Sequence, residues 1–472
     1  MLVLGLVACT KPNPRSCADG TCTDPEFPFC DVGGELEGTP QTCIAVACDP
    51  GTLQSCRGDQ EVRCNTEGTS FDLIQCDLGC DDGVGCRLCE PNETACTNGK
   101  VATCDASGVV VATESCALGC FEDEPRCREL VASNELSQFV DLVPDPIDLV
   151  FTGGSINTDT GQVQIGGSTV ILPTFNLSAP AGGSNVRVFV VKTLRIDQPV
   201  SIDGSSAVAF VATGDISINA RVQLGRGMGA FNVLGCTGGA GRYLDQPNGL
   251  ASAIAGGGGG GFATAGGKGG DVVGKVVGGV GGSVSGSPTL IPLRGGCWGG
   301  AQRLQGAGGA DFFPVTPGGG AIQLVSGTRI EILDVIDADG ETGDFEQITN
   351  DGGGFFGGGA GGGILLEAPI VLLGDQAALL ARGGGGGGGA FIPDVDSMLP
   401  LPGLGGGGNG AAPGFDAEAG GDVTYNTGFA TAGAGGGGGM GRIRVNTQDA
   451  TFEQAASTII AGSLTVGTVK TQ

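Results

Sequence analysis

The sequence predicts a mainly β chain in two parts: small disulfide-rich modules, then a domain of short stacked strands. Three observations carry that expectation. Setting Cys9 aside leaves eighteen of the nineteen cysteines, an even set suited to disulfides, and most fall at repeated spacings before residue 130. From Val131 onward cysteine nearly vanishes and alternating β-branched runs return about every 22 residues. Glycine supplies 96 of 472 residues against a usual share of about 7%, while aromatic residues are only 5%. Glycine costs a helix about 1 kcal/mol per residue relative to alanine, so a helical globule is excluded. A fixed period near 22 residues fits one turn of a right-handed parallel β-helix-like domain, whose turns cover each other's apolar rows.

The first element is the apolar run that ends in Leu6-Val7-Ala8-Cys9. It reads as a truncated signal peptide with a lipobox over residues 1–9, with Cys9 as the lipid-attachment residue. A secretory signal has a basic n-region and an apolar core of 7–15 residues. Here no Lys or Arg precedes Cys9, so the translation start is expected upstream. Residues 10–47 form a polar tether and a four-cysteine module, Cys17, Cys22, Cys30 and Cys43. Thr10, rather than Asp, after the lipidated cysteine predicts sorting to an outer membrane.

Residues 48–130 are two six-cysteine repeats. One runs Cys48, Cys56, Cys64, Cys76, Cys80, Cys86 and the other Cys89, Cys96, Cys104, Cys116, Cys120, Cys127. Both read C-x7-C-x11-C-x3-C from their second to fifth cysteines, and both carry Leu-Gly-Cys at the fifth. Units of about 40 residues cannot bury a sufficient core without staples. Six cysteines allow fifteen pairings, which the spacing leaves open. The rival, a zinc site at Cys86-x2-Cys89, straddles the repeat boundary, and the chain has no histidine. No metal is expected. Dense cysteine also places the chain in an oxidising compartment.

Residues 131–184 are expected as linker and cap strands, with 141–180 supplying an entry cap or first turns through Ile147, Leu149, Phe151, Ile156, Val163, Ile165, Val170 and Leu172. Residues 185–472 form the β-helix-like domain. Its first turn alternates Val186, Val188 and Val190 with Arg187, Phe189 and Val191, then passes Leu194, Ile196, Val200 and Ile202. Later turns begin at Val208, Ile322, Ile364 (with a one-residue slip at Val371) and Ile443. Glycine-rich inserts at 225–320, 341–362 and 383–441 separate them. Two inserts share the phrase Phe-Ala-Thr-Ala-Gly, at 262–266 and 429–433, which argues for order rather than a linker. The expected conformation is polyglycine helices, three residues per turn and packed side by side. Phe262, Phe355, Phe356, Phe391, Phe415 and Phe429 are expected to cap or wedge them, and Cys236 and Cys297 to close a loop around the first.

Charge and chemistry narrow the function. The formal charge is −27, with 22 acidic against 8 basic side chains over residues 10–130, so nucleic acid is not an expected partner. Without histidine there is no Ser-His-Asp or Cys-His site. The strongest enzymatic alternative is a polysaccharide lyase or hydrolase using Asp337, Asp339, Glu341 and Asp344 with Arg329. The plainer reading makes Asp337-Ala338-Asp339-Gly340 the corner of a turn, like Asp203-Gly204. A calcium loop would put Val335 at its first ligand position, and no GxGxxG match opens a helix after a strand. No catalytic residue and no cofactor is assigned.

The string LVAC at 6–9, SCADGTC at 16–22, the C-x7-C-x11-C-x3-C repeats and PLRGGCWGG at 292–300 together resemble myxobacterial and related deltaproteobacterial cysteine-rich surface lipoproteins. In composition the tail is also similar to mycobacterial glycine-repeat surface proteins, whose helical N-terminal domain is absent here. The resemblance implies a lipid-anchored protein of the cell envelope, surface-exposed or periplasmic, with an adhesive, structural or binding role. The implied partners are the membrane through the lipid, polysaccharide, or neighbouring cell-surface proteins.

Overall fold

A computed structural model describes residues 15–472 apart from 18–19, 34–39, 46, 88, 107, 109, 179–182, 230–235, 245–252, 302, 307–308, 313–315, 344, 348–352, 389, 393–407, 414 and 426–429. Cys9, Asp344 and Phe429 lie outside the described residues. The chain divides into two compact units, one ending at Arg128 and one running Glu129–Gln472. Both are β; among the described residues the one helix is a 3-10 segment, Leu136–Leu142.

In the first unit, Cys17–Cys30 and Cys22–Cys43 staple the antiparallel pair Phe29–Asp31 and Thr42–Ile44. The two repeats choose one of the fifteen pairings, and choose it twice. The first joins Cys48–Cys64, Cys56–Cys80 and Cys76–Cys86; the second joins Cys89–Cys104, Cys96–Cys120 and Cys116–Cys127. Each repeat builds a three-stranded antiparallel sheet, Leu53–Arg57 with Gln60–Cys64 and Phe71–Gln75, or Thr94–Thr97 with Lys100–Cys104 and Val110–Ser115. Cys86 and Cys89 belong to separate bridges, so they do not form a zinc pair. Buried Glu61 ties sheet to hairpin in the first repeat by accepting from Arg63 Nε and from the Cys86 amide at 2.8 Å.

The second unit is organised by three ladders of mostly parallel strands that the chain visits in turn. The first contains Val186–Val191, Ala207–Ala212, Ala321–Ser326, Gly363–Glu367, Arg442–Thr447 and Ser463–Thr468. The long strand Thr193–Asp203 serves both other ladders. Its first half pairs with Ile216–Ile218, followed by Arg329–Ile332, Ile370–Leu373 and Glu453–Gln454. Its second half pairs with Val222–Leu224, followed by Val335–Asp337, Ala378–Leu380 and Ile459–Ala461. Period-two alternation sends one row from each ladder into a common core, where Phe210, Ile216, Leu324, Ile330, Ile364, Leu379 and Ile443 are fully buried. Phe189 and Phe210 stack across adjacent turns with centroids 5.2 Å apart.

The first ladder differs from the reading of its alternation. Arg187, Phe189 and Val191 stand in register with Val208, Phe210 and Ala212, so Val186, Val188 and Val190 face the other way. They join a second cluster with Leu136, Phe139, Phe262, Leu290 and Leu293. Both faces are apolar, so alternation alone does not give the phase. The slip at Val371 is accommodated, since Ile330 pairs with Val371 and Ile332 with Leu373.

The stack also starts before position 185. Asp148–Asn157 already pairs in parallel with Thr193–Asp203, and its alternation is broken where the register shifts between Phe151 and Thr152, beside Gly153 at φ 95°. The hairpin strands Gln162–Ile165 and Ser168–Val170 fold back antiparallel beside it. Leu149, Phe151, Ile156, Val163 and Leu172 are buried there, whereas Ile147 is exposed. The segment before these strands is pinned through Glu367, a carboxylate 2% exposed. It accepts from the Ser133 amide (3.0 Å) and hydroxyl (2.7 Å), from Gln323 (2.6 Å) and from Asn446 (3.0 Å).

Two measurements follow. Peptide mapping without reduction is expected to recover the same first-to-third, second-to-fifth and fourth-to-sixth linkage in both repeats. The hydrogen bond from Arg63 holds the Glu61 carboxyl below its ordinary range, with the Cys86 amide adding to it. A depressed folded-state pKa contributes stability that is present above the unfolded value and lost as pH falls through the folded one. Glu61→Gln should therefore cost about 1–3 kcal/mol near neutral pH and progressively less in acid, read from amide exchange in Gln60–Cys64.

Candidate functional site

The distinctive feature of the second unit is what the glycine-rich inserts do. They do not form separate lobes. Segments from all three, together with the residues that lead into the first ladder, run side by side as hydrogen-bonded rods.

The segment 256–261 shows the rule. Gly256 and Gly259 donate to Gly270 and Gly267; Gly257 and Gly260 donate to Phe355 and Gly358; Gly258 and Gly261 donate to Gly239 and Cys236. Successive amides thus turn to three different neighbours and return every third residue, the periodicity of a three-residue helix. The carbonyls accept from three further segments, through Gly279 and Gly282, Gly300, and Gly436 and Gly439. The rod has six neighbours. The segments 357–362 and 434–439 repeat the pattern. Gly357 and Ala360 donate to Gly300 and Cys297, Gly358 and Gly361 to Gly436 and Gly439, and Gly359 and Gly362 to Glu341 and Ala338.

The reason for glycine is space, not turn geometry. None of the glycines at 256–261 has a positive φ. A Cβ built on Gly259 would overlap the Gly437 carbonyl, and one on Gly256 the Ala434 carbonyl. Rods at this separation leave room for a hydrogen atom only. Some side chains on the rods face a wall. Ala360 and Phe262, both fully buried, lie against the outer face of the first ladder. Phe355 and Phe356 are also buried, but Phe415 is 75% exposed and wedges nothing. Phe391 lies in the short strand Ala390–Ile392, which pairs with Ala430–Ala432.

Cys236 and Cys297 are bonded to each other within the bundle. The Arg294 guanidinium lies over the Phe262 ring at 5.1 Å and donates to Cys297 Sγ and Ser285 Oγ, both at 3.0 Å. Arg442 approaches the same ring at 5.4 Å and donates to the Ser285 carbonyl. Burial lowers the pKa of both arginines, and the charge of Arg442 adds to the effect on Arg294.

Of the residues proposed for polysaccharide chemistry, Asp344 lies outside the described residues, and Asp337, Asp339 and Arg329 are engaged in ion pairs. Asp337 is buried and ion-paired to Arg221 of the preceding turn. Asp339 takes the Arg382 backbone amide at 2.7 Å and its guanidinium at 2.6 and 3.0 Å, from the following turn. That pairing raises the Arg382 pKa further. The Glu341 amide donates to Pro317 within the bundle. Arg329 is on another ladder, near Asp215 (3.9 Å) and Glu331 (3.8 Å). These carboxylates clamp successive turns where the chain leaves the third ladder. A cleft of about 430 Å³ lies elsewhere, between residues 131–135 and 291–293; among the described residues its charged lining is Glu135 and Lys470. Among the described residues, the cysteines that cluster with metal-ligand geometry, Cys17, Cys22 and Cys43 or Cys76 and Cys86 beside Glu61, are all in disulfides and offer no thiolate.

The spacing argument predicts unequal glycines. Gly259→Ala should destabilise the second unit by more than about 3 kcal/mol, beyond ordinary overpacking. Gly274→Ala, at φ +74° with nothing near the new methyl, should cost only about 1–2 kcal/mol. Denaturant melts of the full chain compare the two. No protein family, no curated protein and no solved structure matches this chain.

Proposed function

We propose that this chain is a non-enzymatic lipoprotein of the outer membrane or cell surface, with a structural, adhesive or binding role. In this reading Cys9 carries the acyl anchor. The C-terminal unit is a right-handed parallel β-helix, and its glycine rods are polyglycine helices that make a stiff, repetitive surface for polysaccharide or neighbouring surface proteins. The right hand follows the near-universal rule for parallel crossovers. Support for an oxidising exterior comes from nine disulfides among the described residues. No helix among the described residues is long and apolar enough to cross a membrane, and the proposal places membrane attachment at Cys9.

The observation that carries the non-enzymatic reading is the fate of the carboxylates. Asp337 and Asp339 each hold an arginine of an adjacent turn. Asp337 also accepts from the Asp339 amide, and Asp339 from the Arg382 amide, so carboxylate oxygens that would face a substrate are engaged within the stack.

Two experiments test the proposal. Metabolic labelling with a fatty acid, followed by envelope fractionation, should find label in the membrane fraction and lose both label and attachment in Cys9→Ala; soluble, unlabelled wild type would refute the anchor. Incubation with neutral and acidic polysaccharides should release no reducing ends or unsaturated uronides, while the chain co-sediments with at least one insoluble glycan or with envelope fragments. Turnover that disappears in Asp337→Asn or Asp339→Asn would replace the scaffold with an enzyme.

A further inference from the structure

The disulfides of the two units have unlike surroundings. In six bridges of the first unit a sulfur lies 3.4–3.9 Å from a backbone carbonyl oxygen, as Cys30 does from that of Cys17 and Cys104 from that of Gly108. Cys76 and Cys86 also have the Glu61 carboxylate within 4.8 Å. The bridge of the second unit, Cys236–Cys297, faces a cation instead. Arg294 Nη2 donates to Cys297 Sγ at 3.0 Å and lies 3.6 Å from Cys236 Sγ. Arg442 shares the Phe262 ring with Arg294, and Ser285 Oγ lies 3.6 Å from Cys297 Sγ. Both arginines are buried.

These surroundings act on the reduced form. A carbonyl oxygen or a carboxylate beside a sulfur opposes negative charge there, and a guanidinium favours it. A disulfide whose reduced form is stabilised is the more oxidising, and a sulfur that leaves readily as thiolate speeds the exchange. The groups around Cys297 therefore ease opening of its bridge, while those around the sulfurs of the first unit resist it.

A second observation concerns what each bridge supports. A repeat of about 40 residues depends on its staples for its fold, so opening one carries the cost of unfolding the module. The second unit has its own core in the ladders, where Ile216, Leu324, Ile330 and Ile443 are fully buried. Neither Cys236 nor Cys297 lies in a ladder strand. Opening their bridge removes a tie from the glycine rods and leaves that core standing. The rods bury few side chains, and local opening is least costly in such segments. Cys236 is 4% exposed and Cys297 0%, so Cys236 is the sulfur that a nucleophile meets first.

We propose that Cys236–Cys297 is a reversible thiol-exchange site for a dithiol reductant, and that it sets how tightly the first glycine insert is held. A thiolate of the dithiol attacks Cys236 Sγ. A mixed disulfide forms, the Cys236–Cys297 bond breaks, and its electron pair stays on Cys297 Sγ as a thiolate facing Arg294. The second thiol of the reductant then displaces Cys236, closing a disulfide within the reductant. Two electrons pass to the chain; one proton of the dithiol goes to Cys236 and the other to water. Opening frees the rod at 236–241, whose Cys236 carbonyl accepts from Gly261 and whose Gly239 amide donates to Val280. The ladders stay in place.

Equilibration of the full chain in graded dithiothreitol buffers, followed by alkylation and peptide mapping without further reduction, tests the proposal. Cys236–Cys297 is expected to open at a ratio of dithiol to disulfide about tenfold or more below that of any bridge in the first unit. Arg294→Gln should raise that ratio about tenfold, and Arg294→Lys, which keeps the charge, by less, with the circular dichroism spectrum unchanged. A bridge that opens together with those of the first unit or after them overturns the proposal, as does a ratio that a folded Arg294→Gln leaves unmoved. If the variants misfold, the wild type decides. With glutathione the mixed disulfide should form on Cys236, and amide exchange of the reduced chain should quicken at 238–241 while Ala207–Ala212 and Ala321–Ser326 keep their protection. Glutathione on Cys297, or protection lost across the ladders, overturns the proposal.

Discussion

One spacing governs the second unit. Paired β-strands lie about 4.8 Å apart in the hydrogen-bonding direction, and a stack of turns advances by that amount each time. The glycine rods hydrogen-bond to one another through the same peptide groups. The ladder continues into them without a break: Gly363 donates to Gly320 and Arg442 to Gly362, while Gly361, two residues before its strand, donates to Gly439. Three consecutive turns of the first ladder therefore hold three rods at bonding distance. The rods from 236–241, 266–270 and 278–282 then fill positions around them.

Magnitudes explain why this seeding is needed. Fixing one residue's backbone costs about 1–2 kcal/mol, and glycine loses the most freedom of all. A net intramolecular hydrogen bond returns about 0.5–1.5 kcal/mol. A rod with one donated bond per residue and no side chain to bury is close to balance or below it. External constraint must tip it, and two are present. The ladder strands fix the ends of several rods, and the Cys236–Cys297 bridge closes 61 residues, reducing unfolded-state entropy by about 4 kcal/mol on the chain-entropy account. Phe262 and Ala360 add apolar contact between the bundle and the ladder face.

Much of this was legible in the sequence, and the gaps have physical causes. The recurrent apolar rows from Val208 to Val445 identified the stacked turns because a one-residue shift would expose the whole core. The phase of Val186–Val191 was not legible, since both faces of that strand are buried. Residues 141–180 were legible as an entry cap or first turns, but the bulge near Gly153 blurred where the stack opens, and short, half-polar alternation hid its closing strand Ser463–Thr468. Repeated cysteine spacing announced modules, but spacing fixes no pairing; that choice came from the three-stranded sheets, which bring the first cysteine beside the third. The Asp337–Asp339 corner was visible as acidic residues near a turn. Only the register of neighbouring turns reveals Arg221 and Arg382, 116 and 43 residues away, as their partners.

The same register bears on the proposal that the chain scaffolds rather than catalyses. A catalytic site needs polar groups held apart from their natural partners, with pKa values tuned by that separation. Parallel stacking does the opposite at the third ladder. Each turn presents its corner to the next at a fixed rise, so a carboxylate at one corner meets whatever the adjacent corner carries, and here it meets arginine. The bundle goes further, because its interior is peptide backbone whose donors are consumed by neighbouring rods. In the proposed scaffold the working surface is the exterior, which is acidic and exposes rod faces carrying Val277, Val280 and Val284. Recognition on such a surface comes from repetition and shape, and stiffness matters more to it than any single residue.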